Sequence, residues 1–108
     1  MATAALEDRI IIIAELRGRV DRIDREARAL SLRELCQRVA AIGIIARSVG
    51  LLPLARLAAS LAEALVRDGR GASIRTFTDA MRESMGHDAQ DEATAGLFLA
   101  SVGVRLAG

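Results

Sequence analysis

Val39 to Gly50 reads VAAIGIIARSVG. The segment is helical by composition, yet it holds two glycines, one arginine and almost no other polar atom. Val39, Ile42, Ala46 and Val49 recur at alternating steps of three and four, which sets them on one face of a helix. Ala40, Gly43, Ile44 and Arg47 keep the same rhythm one position on, rotated by about 100°. The first face packs a core. The second is small and flat in its middle, with an arginine at one end. A glycine inside a helix costs about 1 kcal/mol against alanine. Two arrangements offset that cost: a neighbouring helix approaches closely, or a partner protein docks there.

Working outward, SLRE at Ser31–Glu34 is a capping-box pattern, so the helix starts at Ser31 and its stripe begins with Leu32 and Leu35. Gly50 suits its end, since glycine enters the left-handed conformation at low cost. Pro53 fits the first turn of a third helix, whose stripe is Leu54, Leu57, Leu61 and Leu65. Its many alanines make it slim, so neighbours can come near. Upstream, Ile13, Leu16, Val20, Ile23, Ala27 and Leu30 mark a long first helix. Glu15–Arg19, Asp21–Arg25 and Asp24–Arg28 are spaced to pair along it. Ile11 and Ile12 point away from that stripe, so either the helix end projects or a second chain covers them. Downstream, Ser73 caps a fourth helix carrying Ile74, Phe77, Met81 and Met85, and GHDAQD at 86–91 is a polar break. A fifth helix follows, with acids at its start, where the helix dipole favours them. It is apolar nearly all round, which points to burial on more than one side.

The expected fold is therefore all-α: a single domain, residues 1–108, forming an up-and-down antiparallel bundle of four to five helices at about 3–30, 31–49, 53–68, 73–85 and 91–106. The composition agrees, with 52% apolar and 27% charged residues and a net charge of +1. Arginines are interleaved with acids rather than clustered, which argues against nucleic acid as a partner. The uncharged run 93–104 is shorter than the ~20 residues a bilayer span needs, so no membrane partner is expected. No signal peptide is evident at the N-terminus. A lone cysteine, Cys36, fits a reducing compartment, and the expected location is the cytoplasm.

Candidates for chemistry are few. His87, the single histidine, sits in a polar break beside Asp88, where solvation is the simplest role. Cys36 lies beside Leu35 and one turn from Val39, as a small core residue does. No zinc-like ligand spacing, nucleophile elbow or phosphate loop occurs, so no metal, no cofactor and no enzyme activity is expected.

RVAAIGIIARSVGLLPLARLAASLAEAL, Arg38 to Leu65, resembles the histidine-containing phosphotransfer domain of bacterial phosphorelays. That family reads roughly H-x-L-K-G-x-x-x-x-x-G, a short turn, then L-x-x-L-x-x-x-L-E. Gly50 matches the second glycine, Leu51–Pro53 the turn, and Leu54, Leu57 and Leu61 the leucines. The match spans about a quarter of the chain without a gap. It departs where the chemistry lies. Ala40 stands at the histidine, Gly43 at the lysine, Ile44 at the first glycine and Ala62 at the acid. Shifting the register by one brings Val39 to the histidine position instead. Neither side chain carries a phosphoryl group. The resemblance implies a helical bundle that has lost its acceptor. It would serve two-component signal transduction as a protein-interaction module, docking a receiver domain or a histidine kinase through Ala40, Gly43, Ile44 and Arg47. The alternative is a structural helical homodimer with no signalling role, with Ile11, Ile12 and the last helix at its interface.

Overall fold

The computed structural model describes residues 2–108, with side-chain placement from residue 7 onward. Five α-helices follow one another: α1 Ala2–Glu26, α2 Leu32–Ser48, α3 Leu52–Asp68, α4 Ile74–Met85 and α5 Glu92–Ala107. A single 3-10 turn at Gly69–Gly71 separates α3 from α4, and no strand occurs among the described residues. The fold is an all-helical bundle. Helices α1 to α4 pack in a ring, α1 touching α2 and α4, while α5 lies over α3 and α4. Helix α3 is the hub, in contact with α2, α4 and α5.

The stripes read from the sequence form the core. Leu16, Val20 and Ile23 of α1, Leu35, Val39 and Ile42 of α2, and Leu54, Leu57, Leu61 and Leu65 of α3 are all fully buried. Phe77, Met81 and Met85 of α4 close the interior. Each such side chain withdrawn from water contributes about 1.5–3 kcal/mol before the entropy of ordering it is counted.

Helix α1 stops at Glu26 rather than near residue 30. A turn over 27–30 keeps Leu30 in the core, 8% exposed, while reversing the chain toward Ser31. The carbonyls freed by this early stop need donors. The Arg70 guanidinium, reaching from the 3-10 turn, donates to the Ala27 carbonyl at 3.0 Å and to that of Leu30.

Ser31 caps α2 as its sequence indicates, its Oγ accepting from the Glu34 amide at 3.1 Å. The Glu34 carboxylate closes the box on the Ser31 hydroxyl, at 3.1 Å, instead of on the backbone N–H. At the other end Gly50 has φ 76°. Its amide donates to the Arg47 carbonyl at 3.3 Å, and the Leu51 amide donates to that of Ala46 at 2.9 Å. This paired closure is the Schellman motif, which sets the sharp entry into α3. Ser73 precedes α4 without a side-chain cap, and its carbonyl alone accepts from Thr76 and Phe77.

Three expectations are corrected. Asp21 and Asp24 do not pair along α1 with Arg25 and Arg28; they turn across to Arg82 of α4. Arg82 Nε lies 2.8 Å from Asp21, its Nη2 donates to Asp24, and Nη1 lies 3.1 Å from Asp79. The buried Thr78 hydroxyl donates to Asp24 at 2.8 Å. Burial works to lower the Arg82 pKa, but hydrogen bonds to Asp24 and Asp21 together outweigh it and hold the pKa above the ordinary arginine value. Among the described residues of α1, only Glu15–Arg19, at 3.1 Å, forms as a helical ion pair. Second, Ile12 packs partly against the core, and it is Ile10 and Ile11 that stand out, 59% and 65% exposed. Third, α5 is not enclosed. It buries Thr94, Ala95 and Val102, while Leu97 and Val104 are each 72% exposed. Helix α5 rests on one side of the bundle, so its neighbours cover only one of its faces.

Candidate functional site

The turn at Gly50 lays α2 and α3 side by side, and their small residues face each other. A Cβ on Gly43 would lie 3.4 Å from the Ala58 Cβ and 3.9 Å from the Ala55 carbonyl oxygen. Gly43 thus lets the two helices approach, at the limit of ordinary contact. Beside this contact runs an open groove of about 430 Å³. Val39, Ala55 and Ala58, all nearly or fully buried, form its floor. Ala40, Ile44, Arg47 and Ala59 line it from exposed positions, and Ser48 closes one end.

Ala40, Gly43, Ile44 and Arg47 therefore share one concave surface, with Ala40 open to solvent. Both arrangements that offset the cost of Gly43 coexist: close packing on α3 and an apolar hollow alongside it. Ile44 is 71% exposed at the rim, where its side chain extends the apolar surface of the groove. The Ser48 hydroxyl turns back to donate to the Ile45 carbonyl at 2.7 Å, so it is occupied within the helix. Arg47 forms no ion pair among the described residues, unlike Arg38 and Arg56, which pair with Glu26 and Glu92. The groove is thus apolar with one uncommitted cation at its end. The α3 half of it, Ala55, Ala58 and Ala59, reads from sequence as a slim surface for close approach and not as part of a site. The signal lay in the alanine content of α3, which marks close approach without saying on which side a hollow remains.

The other candidates stand apart from the groove. Cys36 is half-buried on α2, packed against the core. His87 is exposed; its Nδ1 accepts from the Ala89 amide at 3.2 Å and its ring meets Phe98 edge-on, centroids 5.7 Å apart. Asp91 caps α5. Its carboxylate accepts from the Thr94 amide at 2.8 Å, and that hydrogen bond holds its pKa below the usual carboxylate value. Among the described residues no three metal-binding side chains come together, and no helix is long and apolar enough to cross a membrane. No family model, curated protein or solved structure matches the chain.

Proposed function

We propose that the chain is a non-catalytic protein-interaction module of a two-component phosphorelay, similar to a phosphotransfer domain without its acceptor. The α2–α3 groove docks a receiver domain or a histidine kinase. One observation carries this reading: Ala40, the position of the family's histidine in the resemblance, opens into an apolar groove ending in an unpaired Arg47. Ile44 supplies the exposed aliphatic contact, and the alanine floor admits a partner helix closely. Arg47 favours a carboxylate on the partner. Because the Ala40 methyl has no nucleophilic atom, docking here occupies a phosphotransfer surface without drawing off a phosphoryl group. The module acts by competition or by scaffolding.

The test is a titration of isotope-labelled protein with receiver domains and kinase domains from the same source, read by amide chemical shifts. The expected result is saturable shifts at Ala40, Gly43, Ile44 and Arg47 with one of them. Ala40→Arg fills the groove from an exposed position and so leaves the fold intact, and it should abolish those shifts. Absence of shifts at these residues across the whole panel would overturn the reading.

A further inference from the structure

A second open hollow, of about 310 Å³, lies between α1 and α2 and is opposite in character to the groove. Arg19, Arg22 and Glu26 of α1 and Arg38 of α2 line it, so every side chain at its wall is charged. Arg19, Arg22 and Glu26 fall at steps of three and four along one face of α1. Arg22 has one acid at helical spacing, Glu26 four residues on, and that carboxylate is taken by Arg38 across the helix pair. Four residues back stands Gly18, which offers no side chain, and the Arg22 Nε lies 3.4 Å from its carbonyl oxygen. Three residues to either side stand Arg19 and Arg25, of like charge. Asp21 and Asp24, the other acids of this stretch, turn across to Arg82. Arg22 is thereby left without an ion pair among the described residues.

The other two guanidinium groups are only partly used. Arg19 gives Nε and Nη2 to one oxygen of Glu15, at 3.4 and 3.1 Å, and Arg38 gives Nη1 to Glu26. Arg19 Nη1, Arg38 Nε and Nη2, and both terminal nitrogens of Arg22 donate to nothing among the described residues. Guanidinium donates and never accepts, and it stays charged at any physiological pH, so these donors call for anionic oxygens. Three positive charges face one negative, and the excess stays positive when Glu15 is counted. No apolar or aromatic side chain lines the hollow, so it has no surface for a hydrocarbon body or a stacked base. We infer that this hollow binds a phosphomonoester group, with Arg22 as its principal ligand and Arg19 and Arg38 closing on it from the two helices. A carboxylate has one charge and two coplanar oxygens, which a single arginine satisfies. A phosphomonoester has nearly two charges and three accepting oxygens that diverge, which suits arginines arriving from different directions. The group is carried either by a small soluble ester or by a lipid headgroup, and the chemistry at the arginines is the same.

The test is a titration of the isotope-labelled full chain with glycerol 3-phosphate at pH 6.5, above a phosphomonoester's second pKa of about 6. Ionic strength is held constant and the arginine Nε–H signals are read. Saturable shifts at Arg19, Arg22 and Arg38 are expected, with a dissociation constant on the order of 1 mM. Arg47, which also lacks an ion pair but stands away from the hollow, supplies the response of a single guanidinium and should not saturate in that range. Acetate should bind at least ~10-fold more weakly. Arg22→Gln should weaken glycerol 3-phosphate ~10-fold. Glu26→Gln should tighten it ~3-fold, because it removes a repelling charge and frees Arg38. Circular dichroism should show the fold unchanged in both variants. Co-sedimentation with phosphatidylcholine vesicles containing phosphatidic acid, lost in Arg22→Gln, would place the ester on a lipid; glycerol 3-phosphate binding without it places the ester in solution. Shifts that stay linear at all three arginines, equal affinity for acetate, or binding indifferent to Arg22→Gln overturn the inference.

Discussion

Helices α3 and α5 have nearly equal lengths, 17 and 16 residues, and both are rich in alanine and leucine. Helix α3 buries Pro53, Leu54, Ala55, Leu57, Ala58, Leu61, Ala64 and Leu65. Helix α5, the more uniformly apolar of the two, buries Thr94, Ala95 and Val102. The difference lies in their neighbours: α3 is surrounded by α2, α4 and α5, whereas α5 lies at the edge against α3 and α4. Apolar composition states what a helix tolerates. The number of helices around it decides what is buried, and an apolar edge helix is left with an exposed face.

The largest consequence is in core truncation. Leu61→Ala on α3 should cost about 2–5 kcal/mol in urea unfolding, the range for a fully buried leucine. Leu97→Ala on α5 should stay within about 0.5 kcal/mol. Equal losses would break the contrast between hub and edge.

Next comes the Arg82 cluster that ties α1 to α4. Asp24, 13% exposed, accepts from Arg82 and Thr78, so Asp24→Ala takes one acceptor from each, while Arg82 keeps Asp21 and Asp79 and the Thr78 hydroxyl keeps the Arg75 carbonyl at 3.2 Å. A loss of about 2 kcal/mol is expected, below that of a fully buried pair because Arg82 keeps some contact with solvent. A negligible loss would mean that the apolar stripe alone holds α1 in place.

The glycines sharpen the comparison further, since the same substitution should change sign along the chain. Gly50→Ala forces a methyl group into a φ of 76° and should cost about 1 kcal/mol. Gly43→Ala should be close to neutral, its gain in helix propensity offset by the 3.4 Å approach to Ala58. Gly103→Ala meets nothing and should stabilise the fold by up to ~1 kcal/mol. Chemical denaturation of all three checks the order.

The smallest effect concerns the Asp91 cap. Its folded pKa is lowered by the Thr94 amide, so its contribution is present above the unfolded carboxylate value of about 3.9 and is lost as pH falls through the lower folded value. Asp91→Asn keeps an oxygen for the cap but does not titrate. Its melting temperature should therefore fall less steeply than that of the wild type as acid is added through this window.

The core was legible because periodicity encodes it: every residue of the α2 and α3 stripes is buried or packed on the core except Leu32, which is 38% exposed in the first turn of α2. The Ser31 and Gly50 signals located both ends of α2 because capping chemistry is local. Position in the assembly was not legible. Nothing local distinguishes a hub helix from an edge helix, so α5 read as enclosed. Asp21 and Asp24 had helical partners available in sequence, yet an arginine 58 residues beyond Asp24 takes them, because a side chain half-withdrawn from water binds carboxylates more strongly than a solvated one. The α2 half of the groove was visible as a bare face. The α3 half required knowing how the two helices lie together.

The most direct test of which exposed apolar face docks the partner is one calorimetric titration of a groove-binding receiver or kinase domain into three proteins: wild type, Ala40→Arg and Leu97→Glu. Binding should disappear with Ala40→Arg and persist with Leu97→Glu at wild-type affinity. Wild-type affinity for Ala40→Arg, or its loss in Leu97→Glu alone, would contradict the assignment of partner docking to the α2–α3 groove.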